Sequence, residues 1–279
     1  MPSVEARLNY LAPGAGPVVV RLYAPSSGLS NVVPAAVEQR LAIQDARAAQ
    51  SQPRLDEQGF ELHTHHTAFE SYYDPAQVQA HYYPEVRELV RRLTGALDVI
   101  VFDHNVRSAA RVARQEPGVQ LPAAQVHNDY TLSSGPRRKQ QILEAAGKSE
   151  LAPHHVAQIN LWRPIVGPVQ DNPLALCDAA SVAPSDLVPT EIQHFGASDT
   201  QNPRQRGEIY SVRYAPSHRW FYFPEMRPSE IVLLKGYDSR TGRARFVPHT
   251  GFEHPAPAPG FVPRESIEAR TLVVFDAKL

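Results

Sequence analysis

The residues Val156-Ala-Gln-Ile-Asn-Leu-Trp162 begin the part of the chain that decides the fold. This run is rich in apolar residues and predicts a β-strand. Further short strand candidates follow it, separated by turn residues at intervals that are typical of a sandwich or an eight-stranded jelly roll. They cover residues 174–178, 208–214, 220–223, 231–236, 244–248 and 266–275.

The first half of the chain is more mixed. Residues 17–23 and 97–103 predict strands, and residues 37–47 predict a short helix or a strand. Residues 82–95 predict a helix that Gly95 ends, and a second helix is expected over 136–146, with Ser134 as its cap and Gly147 after its end. The predicted fold class is mainly β with flanking helices, a double-stranded β-helix of the jelly-roll or cupin-like kind. We expect one domain over 1–279, in which a mixed α/β part (1–120) packs on a jelly-roll core (121–279).

Composition narrows the kind of partner. The 28 Lys and Arg residues nearly balance 29 Asp and Glu, so the formal charge of −1 supplies no field to attract nucleic acid or an anionic membrane. Apolar runs are too short for a membrane helix, and a secretion signal is not recognised at the start. Cys177 is the single cysteine and cannot form an internal disulfide. We therefore expect a cytoplasmic protein with a small-molecule partner, of unknown oligomeric state.

The tripeptide His127-Asn128-Asp129 carries the predicted chemistry. Residues i and i+2 of a strand point to the same face, so His127 and Asp129 can bind one ion together. The predicted third ligand is His249, at the end of the strand candidate 244–248; His254, in a proline-rich loop, is the alternative. Two histidines and one carboxylate on one face of iron(II) leave positions open for a co-substrate and dioxygen.

Two arginines follow the third ligand on the last predicted strand. Arg264 and Arg270 share one face with Ser266 by alternation, and a guanidinium fork there can bind the distal carboxylate of 2-oxoglutarate. The alternative for either arginine is an ordinary ion pair with Glu265 or Glu268. Arg264, Arg270 and Ser266, together with Asn160, are the predicted cofactor-binding residues.

Three other clusters suggest different chemistry but lack supporting features. The run His63-Thr-His-His66 has alternating histidines without the spacing or cysteines of a structural zinc site. Gly14-Ala-Gly16 lacks the third glycine and the following helix of a nucleotide-binding loop. Cys177 lies in an apolar strand candidate, which indicates a buried small residue rather than a nucleophile.

Several segments together resemble the CmcJ/AsaB-like hydroxylase and desaturase family. They are Val126-His-Asn-Asp-Tyr-Thr131, Asn160-Leu-Trp-Arg-Pro-Ile165, Gly207-Glu-Ile-Tyr-Ser-Val-Arg-Tyr214, Trp220-Phe-Tyr-Phe-Pro224, Lys235-Gly-Tyr-Asp-Ser239, Pro248-His-Thr250 and Arg264-Glu-Ser-Ile-Glu268. The resemblance implies a double-stranded β-helix oxygenase that uses iron(II), dioxygen and 2-oxoglutarate, often to modify natural products. It also implies His127, Asp129 and His249 as metal and catalytic ligands.

The predicted reaction is hydroxylation, desaturation or a related C–H oxidation of a small molecule. Residues expected to contact that substrate are Tyr130, Trp162, Arg163, Tyr210 and Arg213, and Arg107 or Arg163 would suit a carboxylate on it. Two alternatives stay open at this point. One is a non-haem iron oxygenase that does not use 2-oxoglutarate, and the other is an inactive barrel that acts as a binding or accessory protein.

Overall fold

Two β-sheets face each other in the computed structural model, which describes residues 1–14, 18–24 and 27–278. The larger sheet has nine strands in the order β1-β3-β12-β9-β14-β7-β11-β10-β2, and the smaller has six in the order β4-β13-β8-β15-β5-β6. The strands are β1 Ser3–Leu11, β2 Val18–Tyr23, β3 Ala36–Asp45, β4 Phe60–Thr64, β5 Asp98–Ser108, β6 Val119–Gln120, β7 His127–Asn128, β8 His154–Pro164, β9 Leu174–Cys177, β10 Leu187–Phe195, β11 Gln205–Val212, β12 Trp220–Tyr222, β13 Glu230–Asp238, β14 His249–Gly251 and β15 Glu265–Lys278.

The helices are few and mostly short. The α-helices are α1 Pro75–Gln77, α2 Tyr83–Thr94, α3 Ala109–Ala113 and α4 Ser134–Ala145. A π-helical turn, Val78–Tyr82, joins α1 to α2, and 3-10 turns cover Ala46–Ala48, Ser149–Leu151, Ala179–Ser181 and Pro184–Asp186. Helix α2 confirms the helix predicted over 82–95, and Gly95 ends it in the left-handed conformation (φ 65°) that glycine adopts without strain.

Alternation along β8 decides which residues reach the space between the sheets. Ile159 and Leu161 pack against α2 on the outer face of the smaller sheet. Trp162 points the other way, into a core shared with Leu176 of the larger sheet. Since Asn160 lies two residues from Trp162, it also faces the interior.

Helix α4 covers one end of that interior. Its Ile142 and Leu143 pack against Val156 and Leu272 of the smaller sheet. The predicted cap was wrong: Ser134 lies inside the helix, and the Thr131 hydroxyl accepts from the Ser134 N–H at 2.9 Å. Thr131 therefore fixes the turn between the metal-site segment and α4.

Most predicted strands are confirmed. Residues 36–45 form a strand, which decides between the helix and the strand left open for this segment. Residues 244–248 are irregular, so that the strand begins only at His249. Strands β1, β4, β6 and β10 were not predicted.

The part before residue 121 contributes strands to both sheets, while its helix α2 packs on the outer face of the smaller sheet. Strands β1 to β3 belong to the larger sheet and β4 to β6 to the smaller one, so this part extends both sheets. A single domain over 1–279 stays a prediction. Within the described residues, no helix has the length and apolar character needed to cross a membrane.

Candidate metal centre

Two of the three predicted ligands lie on neighbouring strands, and the third, Asp129, directly follows one of them. His127 of β7 and His249 of β14 are directly opposite each other, and their ring centroids are 4.5 Å apart. Asp129 Oδ1 lies 3.5 Å from His127 Nε2 and 4.0 Å from His249 Nε2. Metal–ligand bonds of roughly 2.1 Å place neighbouring octahedral ligand atoms about 3 Å apart, so a small contraction would let all three bind one ion.

Both imidazoles are held in the form that can bind a metal. His127 Nδ1 contacts the Gln125 carbonyl and His249 Nδ1 contacts the Val247 carbonyl, each at 2.9 Å. Each Nδ1 therefore carries the proton, which leaves the Nε2 lone pair free. Burial lowers the pKa of His249, and the neighbouring His127 lowers it further, which favours the neutral ring.

The carboxylate is held in its charged form. Burial by itself would raise the pKa of Asp129, but His127, His249 and the charge of Arg270 hold that pKa well below its usual value. Asn160 on β8 donates from Nδ2 to Asp129 Oδ2 at 2.6 Å. That bond leaves Oδ1, the atom closest to both histidines, available to a metal.

Asn128, between two of the ligands, positions the whole centre. Its side chain is fully buried and donates to the carbonyls of Tyr130 (2.7 Å) and Gly236 (2.8 Å). Its Oδ1 accepts from the Val247 N–H at 2.9 Å. One amide thus ties the turn that carries Asp129 to β13 and to the residues just before His249.

Arg264 is the better placed of the two predicted arginines. It is buried, its Nε donates to Ser266 Oγ at 3.2 Å, and its guanidinium lies 5.3 Å from the Trp162 ring. It reaches the ligand strand, since a Cβ added at Gly251 would lie 3.4 Å from its Nη1. Burial, with the nearby charge of Arg107, lowers the pKa of Arg264 to about 10.

Arg270 faces the same interior but has acidic partners. Its Nη1 donates to Asp103 Oδ2 at 2.9 Å, and its Nε lies 3.5 Å from Glu268 Oε1. Of the two acidic partners raised from the sequence, Glu268 lies at ion-pair distance from Arg270 and Glu265 does not, and the choice of the cofactor-binding arginine stays a prediction. Its charge still acts on Asp129.

Three predicted substrate contacts lie elsewhere, and those predictions are corrected. Arg163 is on the outer face of β8, where its guanidinium donates to Tyr82 Oη (3.0 Å) and to the carbonyls of His65 (3.0 Å) and Pro228 (2.7 Å). Tyr210 is opposite Asn128, on the face of β11 turned away from the metal ligands. Arg213 is exposed just beyond β11.

Two predicted substrate contacts do lie inside. Trp162 is buried beneath Arg264, so its ring supports that guanidinium. Tyr130 packs against Gly236, where an added Cβ would lie 2.9 Å from its ring, and it follows Asp129 directly. Arg107, predicted as a possible contact for a substrate carboxylate, and Glu268, which was not predicted, also face this interior, while Asn128, likewise not predicted, supports the ligands from the other face of the sheet. Arg107 and Glu268 face inward beside Ser266 and Trp162 respectively, which the alternation of the last strand indicates once its partner strands are known.

The rival clusters do not assemble a comparable site. Of the described residues, His127, Asp129 and His249 are the one group of three that can hold a metal ion. His65 Nδ1 instead accepts from Arg163 at 2.6 Å. Cys177 is buried as predicted, with its pKa raised to about 12 by burial. Gly16 lies outside the described residues.

Comparisons with known proteins agree with this geometry. The family model described as Oxidoreductase/YMDC permease-like domain matches residues 8–274. The hydroxylase/desaturase efuI of Hormonema carpetanum is 33% identical over 261 residues, covering 85% of this chain and 84% of the relative. The chain belongs to this oxidoreductase family.

Other members of the family are named for their cofactors. The alpha-ketoglutarate-dependent dioxygenase tstK of Talaromyces stipitatus is 31% identical over 246 residues, which cover 84% of each chain. Among solved structures, the iron and alpha-ketoglutarate-dependent endoperoxidase NvfI superposes with a TM-score of 0.83 over 98% of both chains, at 24% identity. The comparisons confirm the predicted hydroxylase/desaturase family, the jelly-roll fold class and the oxidoreductase class, and the family acts on small molecules.

Proposed function

We propose that this chain is an iron(II)- and 2-oxoglutarate-dependent dioxygenase that oxidises a C–H bond of a small molecule. The meeting of His127, Asp129 and His249 at one point is the observation that carries the proposal. Relatives named as Fe(II)/2-oxoglutarate-dependent dioxygenases support iron(II), 2-oxoglutarate and dioxygen as cofactors. A cytoplasmic location and the lack of a nucleic-acid partner stay predictions.

The bound cofactors would supply a known overall chemistry: one oxygen atom enters succinate as 2-oxoglutarate loses carbon dioxide, and the other enters a hydroxylated product. Two imidazoles whose Nδ1 atoms contact backbone carbonyls, together with one carboxylate, would hold the metal, and Asn160 keeps that carboxylate in one orientation. These hydrogen bonds need no reorganisation during the reaction.

Arg264 and Ser266 would bind the distal carboxylate of 2-oxoglutarate. The guanidinium is charged, buried and close to β14; its Nε donates to Ser266 Oγ and its Nη1 to the Asn172 carbonyl, which leaves further N–H donors for a carboxylate. A planar guanidinium at this place can bind a carboxylate through two parallel N–H···O hydrogen bonds. Relatives named for their use of alpha-ketoglutarate favour the first of the two enzymatic alternatives.

Iron uptake by three proteins tests the proposal. Under argon, the wild type should bind one equivalent of iron(II), Asp129→Ala should lose most of that affinity, and the exposed control Asp276→Ala should match the wild type. In air, the wild type with iron(II) should convert 2-oxoglutarate to succinate. Equal iron uptake by wild type and Asp129→Ala would overturn the ligand assignment, and iron uptake without any 2-oxoglutarate turnover would overturn the enzyme class.

A further inference from the structure

The metal centre is open on one side. The exposed fraction of the ligand side chains rises from 6% for His249 to 11% for Asp129 and 17% for His127. His249 is opposite the fully buried Leu176 of β9, whereas His127 is opposite Ser211 of β11. The opening therefore faces β11 and the strands beyond it, β10 and β2.

Strand register shows what faces this opening. Residues directly opposite on paired strands share a face, so Ser211 is on the metal side of β11, and so is Ile209 two positions before it. The pairing continues this face across β10 and β2. Its half-buried aliphatic residues are Val20, Leu22, Val188, Ile192 and Ile209. We call these five residues the aliphatic wall.

The opposite side of the opening is polar. Arg270 of β15 faces it, and the charges of Arg204 and Arg270 add to burial in lowering the pKa of His194 on β10. Arg107 of β5 is opposite Ser266 and donates to the Leu121 carbonyl at 2.6 Å. A guanidinium has five N–H donors, so Arg107 retains capacity for an oxygen acceptor.

We infer that the substrate of this enzyme is an elongated, mainly aliphatic molecule with a carboxylate or another anionic oxygen group. Its carbon skeleton lies along the aliphatic wall and its anionic group faces Arg107. The inference rests on the proposed function, because the wall is defined by its position beside the metal ligands.

The size of the wall sets the size of the molecule. Strands β7 and β2 are three strand spacings apart, which is about 14 Å at ~4.8 Å each. Ile209 is on the strand next to β7 and Val20 is on the strand farthest from it, so a molecule that starts beside the metal ligands must be long to contact Val20. Because the wall residues are half-buried on the face of the larger sheet that carries the metal ligands, the occupant is a small molecule rather than the surface of a folded protein.

Linear carboxylic acids from butanoic to decanoic acid are suitable probes, with binding measured by calorimetry under argon on protein loaded with iron(II) and 2-oxoglutarate. We expect the dissociation constant to fall about fourfold per added methylene in the wild type. Val20→Asn should weaken the longest acids by about tenfold and leave the shortest unchanged, whereas Ile209→Asn should weaken all of them. Arg107→Gln should weaken the acids but not the alcohols of equal length.

Val19→Asn is the matched control. Val19 is the neighbour of Val20 on β2, and its side chain points to the other face of the sheet. Val19→Asn therefore introduces the same polar side chain into the same strand, but away from the aliphatic wall. Equal effects of the Val19 and Val20 substitutions, or affinities independent of chain length, would overturn the inference.

The same titrations on metal-free protein separate this inference from the proposed function. A wild type that takes up no iron(II) would refute the proposed function, while the dependence of acid affinity on chain length would still test the aliphatic wall. Normal iron and 2-oxoglutarate binding with no length dependence would refute the wall alone.

Discussion

Replacing Asn128 by alanine should destabilise the protein even when no metal is bound. The side chain is fully buried and makes three hydrogen bonds of 2.7, 2.8 and 2.9 Å, to Tyr130, Gly236 and Val247. At about 1 kcal/mol for each bond, we expect the free energy of unfolding to fall by about 3 kcal/mol. The loss can be larger, because alanine leaves the Val247 N–H and two carbonyls without their partner.

A second effect should appear in metal binding. Asn128 sets the spacing between Asp129 and His249, so its loss should weaken iron(II) binding by about 10- to 100-fold, as is usual for residues that orient metal ligands. Urea titrations of the metal-free protein measure the first effect, and anaerobic iron titrations measure the second.

The exposed Asn202→Ala is a suitable control, for which we expect a change within about 0.5 kcal/mol. If Asn128→Ala lowered the free energy of unfolding by less than about 1 kcal/mol and left iron affinity unchanged, the positioning role argued from these bonds would be wrong.

Three further outcomes follow from the site and its surroundings. Arg264→Lys should raise the KM for 2-oxoglutarate by about tenfold, because an ammonium cannot bind a carboxylate as a planar fork, whereas Arg270→Lys should change this KM much less. The rate of succinate formation measures both effects. A larger effect of Arg270→Lys would show that Arg270, and not Arg264, binds the carboxylate. Burial lowers the pKa of six histidines, His218 and His249 among them, below the 6.5 of the unfolded chain. The unfolded chain therefore takes up more protons as pH falls through about 6.5, so urea midpoints should decrease from about pH 7.5 to about pH 5.5, and an increase would contradict this. Cys177, buried and with its pKa raised to about 12, should resist alkylation until urea unfolds the protein; rapid labelling of the native state would show that it is accessible.

The metal ligands could be predicted from sequence because their geometry is local or nearly so. His127 and Asp129 need only the two-residue repeat of an extended chain. Residues 244–248 were wrongly predicted as a strand, yet His249 still reached β14, since the strand begins there. What the pattern did not show was Asn128, whose partners Gly236 and Val247 approach it only through the tertiary fold.

The substrate contacts were predicted less well, for two different reasons. The sequence alone could have excluded Arg163 as a substrate contact, since alternation along β8 points its side chain away from those of Asn160 and Trp162. The aliphatic wall could not be found in this way. Strand β10 contains Pro189, which weakens a strand prediction, and the role of Ile192 depends on the pairing of β10 with β11.

The direct pairing of His127 with His249 has a consequence for how the chain is held together. A metal ion bound to both would join two strands whose ligands are about 120 residues apart in sequence, and because the unfolded chain has no such preformed site, the binding free energy would add to the stability of the folded state. At a free iron(II) concentration one hundred times the dissociation constant, that contribution is about 2.7 kcal/mol. Iron limitation would then shorten the lifetime of the folded protein as well as stop its chemistry, so the supply of metal would set how much enzyme persists.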